Sequence, residues 1–384
     1  MNLIIKSYKY KLKTNNTQYE ILNNWINTCR AVYNLSLETK IEAYKTRQVS
    51  LSKYDLMKQL PELRNEFEWI KDVPSQSMQN VVERLDAAYK KFFKGGGFPK
   101  FSKKGAYKSI LFKQGVKYSK THVTFPKIGK IRFFNSKNIP NGSKIKTAIV
   151  RKEVDGFYIS IVVEQITEKK HFNPKSDNQA VGIDMGVSKF YSLSTGDSKE
   201  NPRVLKSFEK EMRIAQRSLS RKVKKSNNWY KQLKKVQKIH LKIGRVRKDF
   251  SQKASTELIS SFSKIAVEDL KLKNMTKSSK GDSENHGKMV KQKSGLNRVI
   301  LDVGIGEFFR QLDYKSKWYG REFVKVDPKY TSQTCSDCSH KSKQNRKTQS
   351  KFECVNCGHK ENADINAAKN ILVRAEPMFV NVVH

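Results

Sequence analysis

Two cysteine pairs, Cys335 with Cys338 and Cys354 with Cys357, constrain this chain more than any other feature. Each is a Cys-x-x-Cys knuckle and fifteen residues separate them, the spacing of a four-thiolate zinc ribbon. Four soft anionic ligands close a tetrahedral site and leave no open position, so the zinc expected here is structural. The chemistry has to lie beside it. Seven residues after Cys357 stands Asp364, within ENADINAAKNIL, where Asn362 is placed to cap a helix and Asp364 falls in its first turn.

The charge points to a partner. The 384 residues carry 77 Lys and Arg against 36 Asp and Glu, a formal net charge of +41 that repels itself unless a polyanion neutralises it. Nucleic acid is therefore expected. An anionic membrane fits less well, because the basic residues are spread along the whole chain and form no single amphipathic anchor. The length and a hydrophobic content of 37% suit two or three domains with real cores. Cys29, the remaining cysteine, shares a helical stripe with Leu22, Trp25 and Val32 and reads as a buried structural thiol. No disulfide framework is implied, so a reducing cytoplasm is the expected compartment. MNLIIKSYKYKLK meets charge too early for a secretory signal, and no stretch approaches a membrane span.

Along the chain, residues 3 to 12 alternate as a strand. Helical stripes follow from Tyr19 to about Tyr44 and, after Pro74, through Met78, Val81, Val82, Leu85, Tyr89, Phe92 and Phe93, with Gly95-Gly96-Gly97 as the stop. Two alternating runs around Asp155-Gly156 predict a hairpin, and VTFPKIGKIRFF adds strands to it. Lysines and tyrosines interleave through 98 to 132, a pattern suited to phosphate contact with ring stacking. HFNPKSDNQ reads as a linker. VGIDMGVSKFYSLST then gives a buried strand ending at Asp184, a turn at Gly186 and a second strand. Residues 206 to 260 are helical and basic, broken near Ser226-Asn227-Asn228. KIAVEDL is a short apolar strand ending at Glu268. The polar stretch 276 to 295 is expected to be a mobile loop, followed by a helix from Leu296 to about Trp318 and a strand, REFVKVDP. This order is α/β.

Asp184, Glu268 and Asp364 thus stand at two strand ends and a helix start, where an open α/β sheet gathers its site residues. Taken singly, Asp184 also fits a turn, Glu268 a lysine pair and Asp364 a favourable helix dipole. Together, acids in such apolar strands need a counter-charge. Mg²⁺ or Mn²⁺ supplies it, and two such ions can activate water and stabilise the leaving oxygen of a phosphodiester. No Ser-His-Asp or Cys-His signature competes with that chemistry.

The blocks GIDMG, VEDL and NADINAAKNIL resemble those of the transposon-encoded TnpB family of RNA-guided endonucleases, which carry a RuvC-like nuclease domain. LNRVILDVGIGEFFRQLDYKSKWYGREFVKVDPKYTSQTCSDC, CRAVYN and VPSQSMQNVVERLDAAYKKFF resemble the same family, so the likeness spans nearly the whole chain. It implies a multidomain α/β architecture: an N-terminal β wedge domain with an inserted helical recognition domain, then an RNase H-like (RuvC) α/β domain with an inserted zinc ribbon. The boundaries expected are 1–15 and 95–170 for the wedge, 16–94 for the recognition domain, 171–180 for a linker, 181–328 and 362–375 for the nuclease domain, 329–361 for the ribbon, and 376–384 for a tail. It further implies a guide RNA from the transposon end and a double-stranded DNA target cut beside a short motif. By the same resemblance Asp184, Glu268 and Asp364 are the catalytic ligands of Mg²⁺ or Mn²⁺, and Cys335, Cys338, Cys354 and Cys357 bind zinc. Two positions depart from the pattern, Ser339 where a glycine is expected and Gln252 where a histidine is expected. Arg346, between the knuckles, fits a contact with substrate phosphate and, more readily, a solvated loop arginine.

Other functions remain open at this level. An RNA-guided repressor that binds without cutting would share the chain's charge, although its acid triad is intact. A DDE-like strand-transfer enzyme uses the same metal logic. A guide-independent junction resolvase leaves the basic N-terminal half without a role. A transposase with paired histidines does not fit, since no two of the seven histidines lie two residues apart.

Overall fold

In the computed structural model, which describes residues 2–167, 179–282 and 284–380, the chain forms two units, Met1–Glu168 and Lys169–His384. The linker expected at 171–180 lies, up to residue 178, outside the described residues.

The first unit opens with β1 (Asn2–Lys13), whose alternation turns Tyr8, Tyr10 and Leu12 inward. Asn15 caps α1 (Asn16–Arg47): its side chain accepts from the Gln18 N–H while its own N–H donates to the Gln18 side chain. The stripe of Leu22, Trp25, Ile26, Cys29 and Val32 is buried, and burial pushes the Cys29 thiol up to about 12, so it packs as a protonated group. Next come α2 (Lys53–Glu66) and α3 (Glu68–Lys71), two helices that periodicity announces poorly because one contains Pro61 and the other is a single turn. α4 (Ser75–Phe93) buries Met78, Val81, Val82 and Leu85 in the core shared with α1.

Six further strands complete an antiparallel sheet: β2 (Ser109–Phe112), β3 (Lys117–Tyr118), β4 (His122–Phe125), β5 (Gly129–Phe133), β6 (Lys144–Glu153) and β7 (Gly156–Thr167). Their order is β2-β6-β7-β1-β5-β4-β3. The predicted hairpin is present one residue earlier than expected: Val154-Asp155 form the β6–β7 turn, and Gly156, at a φ of +135°, pairs with Glu153 as the first residue of β7.

In the second unit β8 (Ala180–Met185), β9 (Lys189–Leu193) and β10 (Ser198–Glu200) form an antiparallel meander. After α5 (Val204–Ser207), α6 (Glu209–Ser220) and α7 (Asn227–Ser261) share an apolar seam of Met212, Ala215, Val236, Ile239 and Ile243, and Ser226 caps the second of them at the expected break. β11 (Lys264–Glu268), α8 (Leu272–Met275), α9 (Val290–Val303), α10 (Ile305–Tyr319) and β12 (Glu322–Val326) follow. The sheet order is β10-β9-β8-β11-β12, with β8, β11 and β12 parallel. β13 (Lys351–Glu353), β14 (Lys360–Asn362) and α11 (Ala363–Val380) close the chain.

Three further expectations are corrected. The single helix from Leu296 is two helices beginning at Val290, because Gly304 at a φ of +73° leaves helical backbone between them. The stretch 276–295 is not free of structure: it includes the first turn of α9, and Asn297 and Lys293 of that helix donate to the carbonyls of Thr276 (2.9 Å) and Met275 (2.6 Å). The tail expected from residue 376 is helical as far as Val380, because Phe379 packs with Ile371 and Ala375 in the core.

Alternation divides the second sheet between two cores. Val181, Ile183, Ile265 and Val267 face Leu258, Phe308 and Leu312 of α7 and α10. Ala180, Ala266 and Val326 face Ile371 and Ala375 of α11. The residue that lets α11 sit there is Gly182. A Cβ on it would lie 2.0 Å from the Ala368 carbonyl oxygen and 2.7 Å from the Leu372 nitrogen, both backbone atoms that cannot swing away. Gly182→Ala is therefore expected to lower unfolding stability by at least about 2 kcal/mol. Gly244→Ala, inside α7 where an added Cβ meets nothing within 4 Å, is expected to raise it by about 1 kcal/mol. Urea denaturation of both variants checks the opposite signs.

Candidate functional site

Strand parity builds the site. Residues two apart share a face, so Asp184 follows Ala180 and Gly182 toward α11, and Glu268 follows Ala266. β8 and β11 run in parallel register, Ile183 beside Val267, which brings both acids to the same C-terminal edge. Asp364 comes to that edge from the other direction. The Asn362 side chain accepts from the N–H groups of Asp364 (3.0 Å) and Ile365 (3.4 Å), the cap that the sequence predicts, and so fixes Asp364 in the first turn of α11.

The three acids share one electrostatic field. Burial, and after it the charges of Glu268 and Asp364, push the Asp184 carboxyl up to about 8, while Arg346 pulls the other way. Burial raises Glu268 as well, against the hydrogen bond that the Thr331 hydroxyl donates to it. The three acids are not gathered into one cluster of candidate metal donors among the described residues. The four cysteines are the group of candidate metal donors whose ligand atoms all lie within 4.8 Å of one another among the described residues.

Arg346 is not the solvated arginine that its place between the knuckles suggests. Its guanidinium is half-buried, lies 3.8 Å from the Asp364 carboxylate and donates to the Gln349 carbonyl at 2.9 Å. Sequence reasoning also passes over Thr331 and a polar stripe on α11. Asn366 donates to the Thr334 carbonyl (2.8 Å) and accepts from the Ser336 N–H (2.9 Å). Asn370 donates to the carbonyls of Thr331 (2.9 Å) and Thr334 (2.7 Å), and Arg374 to those of Asp327 (2.9 Å) and Lys329 (2.6 Å). A signal is there to be read: amides and a cation recur every four residues on a helix whose other buried residues are four alanines, Ile371 and Phe379. Gln252 belongs to no such site. Its side-chain amide donates to the Tyr314 hydroxyl at 2.9 Å, and its backbone carbonyl accepts from Lys315 at 2.8 Å, joining α7 to α10.

The cysteine cluster has the dimensions of a zinc site. Cys335 and Cys357 sulfurs lie 3.7 Å apart, and those of Cys338 and Cys354 3.6 Å. Tetrahedral zinc with bonds near 2.3 Å separates its sulfurs by about 3.8 Å. The two knuckles repeat one hydrogen-bond pattern: the N–H of Cys335 donates to His340 O and that of Cys354 to His359 O, while Ser339 and Gly358 donate back to the first cysteine of each. Gly358 has a φ of +75° and Ser339 of +61°, so the serine noted as a departure occupies left-handed backbone that its counterpart meets with glycine. The backbone N–H of His340 is directed at the Cys338 sulfur and that of His359 at the Cys357 sulfur, and each favours the thiolate a metal requires.

Known proteins resemble this chain along most of its length. A family model described as "Probable transposase" matches residues 160–279, one described as "Cas12f1-like, TNB domain" matches 306–371, and one described as "Helix-turn-helix domain" matches 1–48. In the last span the structure has one strand and a single 32-residue helix. InsQ of Escherichia coli (strain K12), named as an RNA-guided DNA endonuclease, is 38% identical over 374 residues, covering 96% of this chain and 92% of InsQ. A protein of Streptomyces pristinaespiralis with the same functional name is 28% identical over 382 residues, covering 97% of this chain and 90% of that protein. The CRISPR-associated endodeoxyribonuclease Cas12f1 of Sulfoacidibacillus thermotolerans is 44% identical over 64 residues, 17% of this chain and 15% of that one.

Two measurements test the site's physics. Because the folded Asp184 holds its proton well above the usual carboxylate range, its ionisation costs stability, which the chain free of divalent ions but retaining zinc should lose as pH rises from about 4 to about 8. Asp184→Asn should remove up to about 1.4 kcal/mol per pH unit of that slope, read as the difference between the two proteins' denaturation midpoints across pH. Ser339→Gly relieves the left-handed serine and should stabilise the ribbon by up to about 1 kcal/mol, seen as slower zinc release to a chelator.

Proposed function

The chain belongs to the TnpB family, and on that premise we propose that it is an RNA-guided DNA endonuclease. It binds a guide RNA derived from the transposon end, pairs it with double-stranded target DNA beside a short adjacent motif, and hydrolyses the DNA backbone. The observation that carries this reading is the placement of Asp184, Glu268 and Asp364 at one sheet edge by parity, register and a helix cap. A formal charge of +41 supplies the affinity for two nucleic acids that such an activity needs.

The domain reading follows. Residues 1–15 and 95–170 are the wedge-like β domain, 16–94 the recognition domain, 181–328 and 362–375 the RuvC-like nuclease domain, and 329–361 the ribbon. An antiparallel meander continued by parallel strands, β10-β9-β8-β11-β12, supports the RNase H-like assignment.

Asp184, Glu268 and Asp364 would hold Mg²⁺ or Mn²⁺, since hard carboxylate oxygens suit a hard divalent cation and the burial that raises Asp184 and Glu268 calls for a counter-charge. Such ions supply an activated water and offset the charge on the leaving oxygen. The chain's own groups set up the rest. Thr331 orients Glu268, the Asn362 cap fixes Asp364, and Arg346 presents a permanent positive charge to the phosphate. Cys335, Cys338, Cys354 and Cys357 would hold structural zinc, and Asn366 and Asn370 bind the approach to that ribbon to the helix carrying Asp364.

Purified protein with a guide and a matched target is expected to cut DNA when Mg²⁺ is present. Asp184→Ala should abolish cutting while leaving target binding in place. Arg346→Ala should slow it by about 10²–10³-fold with unchanged affinity, the scale for removing one group that stabilises transition-state charge. Wild-type protein that binds the matched target without cutting would be a repressor, and joined DNA ends in place of free ones would identify a DDE-like strand-transfer enzyme. Either result overturns the proposal.

A further inference from the structure

The sequence offers lysines and tyrosines between 98 and 132 as base-stacking groups. The fold uses those tyrosines itself. Tyr107 lies under the Arg84 guanidinium at 5.2 Å and against Tyr33, and Tyr118 stacks on Tyr10 and Phe133. Within 98–132 the exposed rings are Phe98 and Phe101.

At the C-terminal end of α4, Tyr89, Phe92, Phe93 and Phe98 pack on one another with centroids 5.2–6.3 Å apart, and Phe98 meets both Tyr89 and Phe92 edge to face. Yet Phe93 remains 76% exposed and Phe98 46%. Mutually packed aromatics left in water mark an interaction surface, because folding alone recovers little from them. The surface is built. Asn34 holds the following loop to α1 by accepting from the Ser102 N–H (2.7 Å) and donating to its carbonyl (3.2 Å). Between the two exposed rings, Gly95 and Gly97 have nothing within 4 Å of where a Cβ would stand, so the backbone there lies open to a flat ligand.

The surroundings decide the ligand's chemistry. Lys91, Lys94 and Lys100 are exposed around the rings, and Lys40 stands 4.8 Å from the centre of Tyr89. A ring face with a cationic rim complements a base with its phosphate, whereas an apolar protein surface would leave the lysines without counter-charge. We propose that this cluster is a stacking platform for the unpaired bases of single-stranded RNA. The proposal rests on the RNA-guided reading above, in which RNA is the polyanion the chain carries before it meets DNA.

The test measures binding of an unstructured single-stranded RNA to the full chain across a range of salt, together with photocrosslinking of the bound RNA. The Phe93→Ala, Phe98→Ala double variant should bind about ten-fold or more weakly, as expected for losing stacked bases. Its salt dependence should be unchanged, because no cation is removed. Phe93→Trp with Phe98→Trp should retain wild-type affinity, and wild-type crosslinks should map to the segment from Tyr89 to Phe98. An unchanged thermal midpoint shows that the alanine variant is folded. Undiminished RNA affinity with no crosslinks in this segment overturns the platform. A loss confined to single-stranded DNA overturns its assignment to RNA. A wild-type chain that binds no RNA overturns the guided reading itself.

Discussion

The second unit depends on one backbone-to-backbone contact, where α11 lies on β8 at Gly182 with no room for a side chain between them. Close approach is what makes the geometry of the candidate site possible. Asp184 is two residues beyond that glycine and Asp364 four residues before Ala368, so the contact places a strand end and a helix start side by side. Ala180 and Ala266 extend the same small-residue surface under the helix. A bulkier strand would hold α11 a side chain's width away, and the acids with it.

The site works against the charge of the rest of the chain. Burial raises both Asp184 and Glu268, and the neighbouring acids add to the rise at Asp184, while the molecule around them carries a large positive excess. That pairing is coherent for an enzyme acting on polyanions. In the proposed endonuclease the general positive field would gather the substrate, and the three acids would take the cations that act on it. Arg346 stands between the two regimes, near Asp364 and reached from the ribbon.

Much of this was legible in the sequence because it is written in short periods. The knuckle spacing, the acids at positions 184 and 268, the cap at Asn362 and the hairpin around Asp155-Gly156 each depend on a few neighbouring residues. What escaped depends on distant ones. Arg346 looks like a loop residue until the chain folds back over Asp364, and Thr331 is an ordinary threonine until β11 ends beside it. The tyrosines of 98 to 132 looked available because their partners, Tyr10, Tyr33 and Arg84, come from elsewhere in the unit. The helix break at Gly304 is hidden for a local reason, since a lone glycine in a helical stripe is tolerated at a cost of about 1 kcal/mol and does not by itself end the helix.

The amide stripe on α11 has a mechanical consequence. Asn366 and Asn370 grip the carbonyls of Thr334 and Thr331 from the same helix whose first turn presents Asp364. The approach to the first cysteine knuckle and the Asp364 carboxylate are thereby tied to one helix. Thr331, gripped at its carbonyl, also holds Glu268 through its hydroxyl, so a disturbance of the ribbon's approach is felt by two of the three acids without any sulfur touching them.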